Sequence, residues 1–446
     1  MGSRDEPVMK TVLWFGAYLL LITLPLFVGA HWPAEGGERP FWMQFGVACG
    51  FAAFSIMAFE FALVSKVRSV TGAFGQDVLL QFHRQMGIVA AALIAGHAVL
   101  MFRSGYPLAW LNPFSAENVW AMRWGVFAAL AILILMVVSL GRRRLRISYD
   151  VWQLSHGFLA EVAVLLALVH LLMFAAFSAG RLMRLLLAAY CIGLVALRAW
   201  FVVIKPLGMW SKPWEVVENV PERGSSRTLL LRPAGHSGFA FAPGQFAWLS
   251  TRPTPFHRDW HPISMSSCAR DEPGPIAFTI KNLGDWSGQV VPALQPGKRI
   301  WVDGPYGVFT PEQERGPGYV MIGGGAGITP LYSMCQTFAE RDDTRPVLLF
   351  FCGRAFDRLI FFEQFEALKK RMNLTVVYVL EEPPPGWTGE SGFINAGTLR
   401  KHLPGQFKRF EYFVCGPPGM MDVMEEALVG LGVAAHHVHT ERFDWV

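Results

Sequence analysis

Four histidines, His83, His97, His156 and His170, lie in two long apolar stretches, and thirteen residues separate the two members in each stretch. On an α-helix, fourteen steps of about 100° fall about 40° short of four turns, so both members share one face about 21 Å apart. Ionisable groups in hydrocarbon are costly, and imidazole is an established axial ligand of haem iron. The spacing therefore predicts two stacked bis-imidazole sites, each suited to one b-type haem.

A simpler role for an intramembrane histidine is to hydrogen-bond a polar group on a neighbouring helix. Four histidines in matching register favour metal ligation instead, and no cysteine lies near enough in the sequence to supply a thiolate. Glu60 and Glu161 also interrupt apolar segments. Glu161 could lie near the site of His156 or carry protons, but snorkelling or hydrogen bonding between helices explains both glutamates equally well.

The histidines lie in the apolar half of the chain. The 446 residues are 52% hydrophobic and 16% charged, and the apolar excess runs from residue 11 to about residue 204. Six segments there have the roughly 20 apolar residues that cross a hydrocarbon core of about 30 Å. The third and fifth segments carry the histidines and run in the same direction, so His83 is level with His156 and His97 with His170. A cleaved signal peptide is the alternative for the first segment, although its run exceeds the usual length of about 7–15 residues. The six segments are 11–30, 41–64, 78–102, 119–140, 151–178 and 183–204.

Lysines and arginines indicate which loops face the cytoplasm. The main cluster is Arg142, Arg143, Arg144 and Arg146, and most other basic loop residues fall on the same side by alternation. Both termini and the soluble half are therefore expected to be cytoplasmic, as in an integral protein of a bacterial inner membrane surrounded by lipid. The net charge of +5 forms no basic stripe, so no nucleic-acid partner is indicated. Six cysteines without a CxxC pair argue against zinc, an iron–sulfur cluster or disulfides, and agree with a reducing cytosol.

The soluble half has two successive patterns. Short strands broken by Gly and Pro predict an antiparallel β-barrel over 211–312. Over 313–446, buried strand-like runs alternate with helical stretches, which is typical of a doubly wound parallel sheet. We therefore expect a six-helix transmembrane bundle with two haems over 1–210, a β-barrel domain for FAD and an α/β nucleotide-binding domain. The expected strands are 227–231, 246–250, 276–281 and 299–302 in the barrel, and 319–322, 347–352, 374–379 and 412–415 in the sheet.

Two motifs in the barrel region have residue types that suit a flavin dinucleotide. Residues 261–267 read HPISMSS, and residues 281–287 read KNLGDWS and open a predicted helix. Small residues and backbone N–H groups at Gly284 and Ser287, at a helix start, can approach and neutralise a pyrophosphate. Taken alone, each motif could equally be a turn beside a strand.

Two glycine-containing turns follow strands of the predicted sheet. Residues 323–330 (GGGAGITP) lie between a strand and a helix, where glycines let the backbone approach a dinucleotide pyrophosphate, and residues 415–419 (CGPPG) follow the last strand. A glycine string alone would also suit a tight turn. Arg354 follows another strand end, where a guanidinium could bind a 2′-phosphate, and no acidic residue stands there to select a ribose hydroxyl. This favours NADPH, with NADH as the alternative.

In this order, the histidines and motifs resemble the NADPH oxidase and ferric reductase family, whose soluble part belongs to the ferredoxin-NADP reductase superfamily. The resemblance covers about residues 40–446. It implies that His261 faces the flavin pyrophosphate, that the two residues after it lie against the isoalloxazine, and that Ser264 offers its hydroxyl near N5. Ile263 departs from the family, which usually has an aromatic residue there. The residues assigned to cofactors, by these motifs or by the resemblance, are His261, Pro262, Ile263, Ser264, Ser267, Lys281, Gly284, Ser287, Gly324, Gly325, Gly327, Thr329, Pro330, Arg354, Gly416 and Pro417.

The resemblance also assigns residues to the place where nicotinamide meets flavin. These are Cys415 and a C-terminal aromatic, Phe443 or Trp445, that covers the flavin and yields to nicotinamide. A tail aromatic that closes a hydrophobic seam is the alternative.

The expected function is electron transfer across the membrane. Hydride passes from nicotinamide to FAD, because a flavin accepts two electrons together and releases them singly to a one-electron haem. The family implies dioxygen, reduced to superoxide, as the acceptor, with a ferric chelate as the alternative; a haem subunit that serves a partner protein is a further alternative. No EF-hand loop or SH3-type proline ligand is present, so no regulatory subunit is indicated.

Overall fold

The computed structural model describes residues 5–31, 40–65, 67–142, 144–174, 180–257 and 259–442. The chain divides into two compact units, Met1–Val203 and Ile204–Val446. The two candidate C-terminal aromatics, Phe443 and Trp445, lie outside the described residues.

The first unit is helical. Six helices in the described part of the chain are long and apolar enough to cross a membrane, as the sequence predicts, and the last continues through a π-helical turn, Trp200–Ile204, into the second unit. A small core that includes Val28, Phe54, Val164 and Leu187 joins four of these helices, while many of their other large apolar side chains are exposed, as lipid contact requires. The helices are α1 (Asp5–His31), α2 (Phe41–Leu63), α3 (Arg68–Phe74), α4 (Gln76–Arg103), α5 (Trp120–Gly141), α6 (Tyr149–Met173) and α7 (Arg181–Ala199), followed by α8 (Lys205–Trp210).

The first part of the second unit is a six-stranded antiparallel sheet. The expected barrel is present only in this open form, because beyond the sheet the edge strands β4 and β5 are linked by one isolated bridge, Met265 to Phe278. The reason lies in β4, which has four residues, one of which is Pro262 without a backbone N–H. The strands are β1 (Trp214–Glu222), β2 (Ser226–Pro233), β3 (Phe246–Ser250), β4 (His261–Ser264), β5 (Ile276–Lys281) and β6 (Arg299–Tyr306), in the order β4-β3-β6-β1-β2-β5.

The second part is a parallel six-stranded sheet with a hydrophobic core on each face, as expected. Its central strands are buried runs, which is why they read as continuous apolar segments in the sequence. The strands are β7 (Tyr319–Gly324), β8 (Val347–Gly353), β9 (Leu374–Leu380), β10 (Glu390–Ser391), β11 (Glu411–Cys415) and β12 (Val438–Glu441), in the order β10-β9-β8-β7-β11-β12. The helices are α9 (Ile328–Glu340), α10 (Phe362–Leu368), α11 (Ala396–His402) and α12 (Pro418–Gly430).

Candidate functional site

The four predicted histidines form two facing pairs between α4 and α6. In the first pair, the ring centres of His83 and His156 are 6.1 Å apart and the ring planes differ by 70°. In the second pair, His97 and His170, these values are 6.3 Å and 77°. Metal–imidazole bonds are about 2 Å long and a ring centre lies about 1 Å beyond its nitrogen, so one iron between two imidazoles needs centres about 6 Å apart. The residues present therefore fit bis-imidazole iron at both levels.

The second pair is held by backbone carbonyls of the neighbouring helices. His97 Nδ1 lies 2.8 Å from Gly46 O in α2, and His170 Nδ1 lies 2.7 Å from Ala121 O in α5. Because a carbonyl only accepts, each Nδ1 must donate its hydrogen, which leaves the lone pair of Nε2 for a metal. His97, late in α4, thus meets Gly46, early in α2, so α2 and α4 are antiparallel. The contact of His170 with Ala121 shows the same for α5 and α6.

Two glycines allow these rings to approach the backbone. A Cβ atom at Gly50 would lie 3.0 Å from His97 Nδ1, and one at Gly125 would lie 2.8 Å from His170 Nδ1. Each glycine is one turn beyond the carbonyl that accepts the hydrogen bond. Gly46 with Gly50, and Ala121 with Gly125, are pairs of small residues four positions apart, a common signature of close helix packing in membranes. Sequence reasoning missed these residues although that signal was present.

The first pair is held by side chains instead. His83 Nδ1 contacts Glu60 Oε2 near the end of α2. His156 Nδ1 lies 3.0 Å from Ser139 Oγ near the end of α5, and this oxygen also accepts a hydrogen bond from Trp152 Nε1 at 3.3 Å. Glu60 therefore supports a histidine, whereas Glu161 pairs with Arg198 at 2.5 Å.

The glycine-rich turn and the CGPP turn meet at the carboxyl ends of β7 and β11. After β7, strands β8, β9 and β10 are added on one side of it, and β11 then lies on its other side. Ligands of open α/β sheets bind where the strand order reverses in this way. A Cβ atom on Gly324 would lie 3.1 Å from Pro417 Cδ, and one on Gly416 would lie 3.3 Å from Gly324 N. A side chain at either glycine would therefore be tight against the other turn.

Polar groups that suit a dinucleotide surround the place where the glycine-rich turn and the CGPP turn meet. Thr329 Oγ1, at the start of α9, is buried and has no hydrogen-bond partner among the described residues. Lys281 Nζ lies 3.4 Å from where a Cβ atom of Gly325 would stand. Gly327 packs against the backbone of the fully buried Cys415, and Pro330 is also buried. An unused hydroxyl and an amine beside a glycine-rich turn fit a phosphate-bearing dinucleotide.

The HPIS motif forms β4 and carries a second unused hydroxyl. Ser264 Oγ is buried and has no hydrogen-bond partner in the described part of the chain, which fits a donor to a flavin edge. His261 stacks on Trp286, with ring centres 3.9 Å apart, and its Nε2 lies 2.7 Å from Asp259. Pro262 and Ile263 are half-buried in the same strand. Trp286 is a partner that the sequence did not indicate.

Two predicted serines shape their own turns. Ser267 Oγ accepts a hydrogen bond from Ala277 N at 3.1 Å. Ser287 Oγ accepts one from Gly284 N at 3.0 Å, and the helix expected here is only a π-helical turn, Trp286–Val290, followed by a short 3-10 turn. The backbone N–H of Gly284 is therefore already engaged, contrary to the expectation that it would be available to a pyrophosphate.

Arg354 has an acidic partner that the sequence pattern does not reveal. Its Nε donates to Glu382 Oε1 at 3.0 Å, and both side chains are largely exposed. The prediction that Arg354 binds a 2′-phosphate is not tested by this ion pair, but the phosphate would have to compete with the carboxylate. Glu382 reaches Arg354 from beyond the end of β9, the adjacent parallel strand.

Family models match both halves of the chain. Residues 49–167 match the ferric reductase like transmembrane component, and residues 321–426 match the oxidoreductase NAD-binding domain. Six apolar helices followed by such a domain define an integral membrane NAD(P)H oxidoreductase. The chain belongs to the NADPH oxidase and ferric reductase family, with a soluble part of the ferredoxin-NADP reductase type.

The chain is also similar to reductases of other systems. It is 30% identical over 246 residues to the stachydrine N-demethylase reductase subunit Stc4 of Rhizobium meliloti, which covers 54% of this chain and 69% of that protein. It is 31% identical over 224 residues to the propane 2-monooxygenase reductase component of Rhodococcus jostii, with coverages of 48% and 59%. For NADH-cytochrome b5 reductase 1 of Aspergillus terreus, the identity is 34% over 148 residues, with coverages of 31% and 49%. The chain thus spans about half to two thirds of the length of these relatives.

Proposed function

We propose that this protein transfers electrons from cytosolic NADPH, through FAD and two b-type haems, to an acceptor on the far side of the membrane, with dioxygen giving superoxide as the leading candidate. The observation that carries this proposal is the spacing of the two histidine pairs, 6.1 and 6.3 Å between ring centres. The proposal includes domains at 1–210, 211–312 and 313–446, with both termini and the soluble domains in the cytoplasm. The first histidine pair is then the one nearer the cytoplasm.

The chain's own residues hold and orient the cofactors. The four histidines would hold the two haem irons through Nε2, since each has its Nδ1 engaged by a neighbouring helix. Ser264 donates to the flavin edge, and Thr329, with the glycine-rich and CGPP turns, holds the dinucleotide. When bound, the flavin supplies the conversion of a two-electron hydride donor into single electrons. Because two imidazoles face each metal position, they would occupy both axial positions of each iron and leave the acceptor to react without binding to it.

Haem content tests the proposal. We expect two haems per chain in the purified protein, with low-spin spectra typical of two imidazole ligands, and the loss of one haem in His83→Ala or His156→Ala and of the other in His97→Ala or His170→Ala. His31→Ala, outside the pairs, is the matched control and should keep both haems. An unchanged reduced-minus-oxidised spectrum in any ligand variant would remove that histidine from the site.

The acceptor is tested separately. With NADPH as donor, cytochrome c reduction that superoxide dismutase abolishes supports dioxygen as acceptor, and complete insensitivity to the dismutase contradicts it. The description of the matching transmembrane family favours a ferric chelate as the second candidate. The relatives that are reductase subunits or components favour delivery to a partner protein as the third.

A further inference from the structure

The two histidine pairs differ in what accepts their Nδ1 hydrogens. At the second pair, both acceptors are neutral backbone carbonyls, Gly46 O and Ala121 O. At the first pair, the acceptors are the hydroxyl of Ser139 and the carboxyl group of Glu60. The chain thus places an acidic side chain against one histidine of the first pair and no comparable group, among the described residues, against either histidine of the second.

Glu60 is a buried carboxyl group in a membrane helix, and its contact with His83 is its main polar interaction among the described residues. It is only 8% exposed, and His83 is its one ion-pair partner in the described part of the chain. Its second oxygen, Oε1, is buried without a hydrogen-bond partner among those residues. Such burial is costly, and the backbone carbonyls of the second pair show that a histidine can be oriented without it. Glu161, in contrast, is paired with an arginine.

A carboxylate acts on a metal through the histidine between them. It accepts the Nδ1 hydrogen, makes Nε2 a stronger donor and brings negative charge within a few bonds of the metal. Both effects favour the more positively charged oxidation state, and the low dielectric of the membrane interior strengthens them. A neutral carbonyl strengthens Nε2 as a donor less, and it brings no negative charge near the metal.

We propose that Glu60 is a positioning residue that lowers the reduction potential of the haem at the first pair below that of the haem at the second pair. This inference rests on the proposed function, because it requires haem at both pairs. The asymmetry gives the electron a downhill step from the His83 level to the His97 level. It thereby sets the direction of transfer within the membrane half.

The test is a redox measurement on the full-length protein loaded with haem, comparing the parent with Glu60→Gln. Glutamine keeps the shape and an acceptor oxygen but removes the charge. We expect two haems with distinct midpoints in the parent. In Glu60→Gln the lower midpoint should rise toward the higher one, so that the ratio of ferrous to ferric haem at the first pair increases about tenfold at a fixed potential. One of the two low-spin signals in the electron paramagnetic resonance spectrum should move while the other stays.

Three further variants complete the design. Glu161→Gln also removes a membrane carboxyl group, but one that contacts no histidine of either pair in the described structure, and it should leave both midpoints unchanged. Ser139→Ala alters the neutral partner at the same level and identifies which signal belongs to the first pair. If Glu60→Gln fails to assemble, Glu60→Asp keeps the charge on a shorter side chain and should retain the lower midpoint at least in part.

The outcomes separate this inference from the proposed function. If the parent binds no haem, the proposed function fails. If the parent and Glu60→Gln both bind two haems with the same pair of midpoints, the proposed function stands and the role of Glu60 is overturned. An equal shift in Glu161→Gln would also overturn it, because the effect would then be a general one of membrane charge.

Discussion

Gly125 lies so close to His170 that a Cβ atom on it would stand 2.8 Å from His170 Nδ1. Gly125→Ala should therefore push the imidazole off the Ala121 carbonyl, and we expect loss of haem from the second pair alone, with about half of the total haem retained. Optical haem quantitation checks this. Gly193→Ala is the matched control on α7, where, apart from its neighbours and backbone in the same helix, no atom of the described residues lies within 4 Å of the added methyl group, and it should keep both haems. Full haem content in Gly125→Ala would mean that the glycine is not needed for the ligand geometry.

Ser264→Ala should weaken flavin function without weakening the fold. The hydroxyl has no partner within the described protein, so its removal breaks no internal hydrogen bond, whereas a lost bond to the flavin costs about 1–3 kcal/mol. We expect the rate of flavin reduction to fall about tenfold or more, measured by stopped-flow absorbance. Ser333→Ala is the contrasting control, because its hydroxyl bonds Ser267 O at 2.7 Å and its loss should lower thermal stability. A normal rate and flavin affinity in Ser264→Ala would refute the assignment.

Glu382→Gln should increase the preference for NADPH over NADH. In the parent, a 2′-phosphate must compete with Glu382 for the Arg354 guanidinium. Removing the carboxylate frees the guanidinium and removes a charge that repels phosphate, so we expect kcat/KM for NADPH to rise about tenfold relative to that for NADH. Glu312→Gln breaks another partly exposed ion pair, with Arg341 at 2.8 Å, and should leave the ratio unchanged. An unaltered ratio in Glu382→Gln would show that Arg354 does not contact the 2′-phosphate.

Cys352, one residue before the end of β8, should be almost inert toward alkylating reagents. Burial raises the pKa of its thiol to about 12, so the reactive thiolate is rare at neutral pH. We expect labelling by iodoacetamide at pH 8 to be about 1000-fold slower in the folded protein than in urea, and to rise with pH up to about 12. Mass spectrometry of the tryptic peptide measures both rates. Rapid labelling of the folded protein at pH 8 would contradict the shift.

The sequence predicts relationships within one helix better than relationships between helices. Equal spacing in α4 and α6 was enough to predict which histidines face each other, because helix geometry fixes the level of each residue. The partners Glu60 and Ser139 could not be assigned, since they lie on helices whose packing no periodicity specifies. Glu382 was missed for a similar reason, because adjacent parallel strands bring together residues that are far apart in the chain.

The open form of the antiparallel sheet could not be predicted for the same reason, because it depends on contacts between strands that are far apart in the chain. Alternation and turn residues identified four of its six strands, but they carry no information on whether the edges pair. The proline in β4 removes a donor at the place where closure would need one.

Each histidine pair draws one ligand from the α2–α4 couple and the other from the α5–α6 couple. A haem bound at either level would therefore add iron–nitrogen bonds between two helical hairpins that otherwise contact each other through side-chain packing, for example in the cluster that contains Ile94 and Ile132. The supply of haem would then affect the stability of the membrane half as well as the activity. A cell that makes this chain while short of haem would hold it with the two hairpins joined by side-chain packing alone.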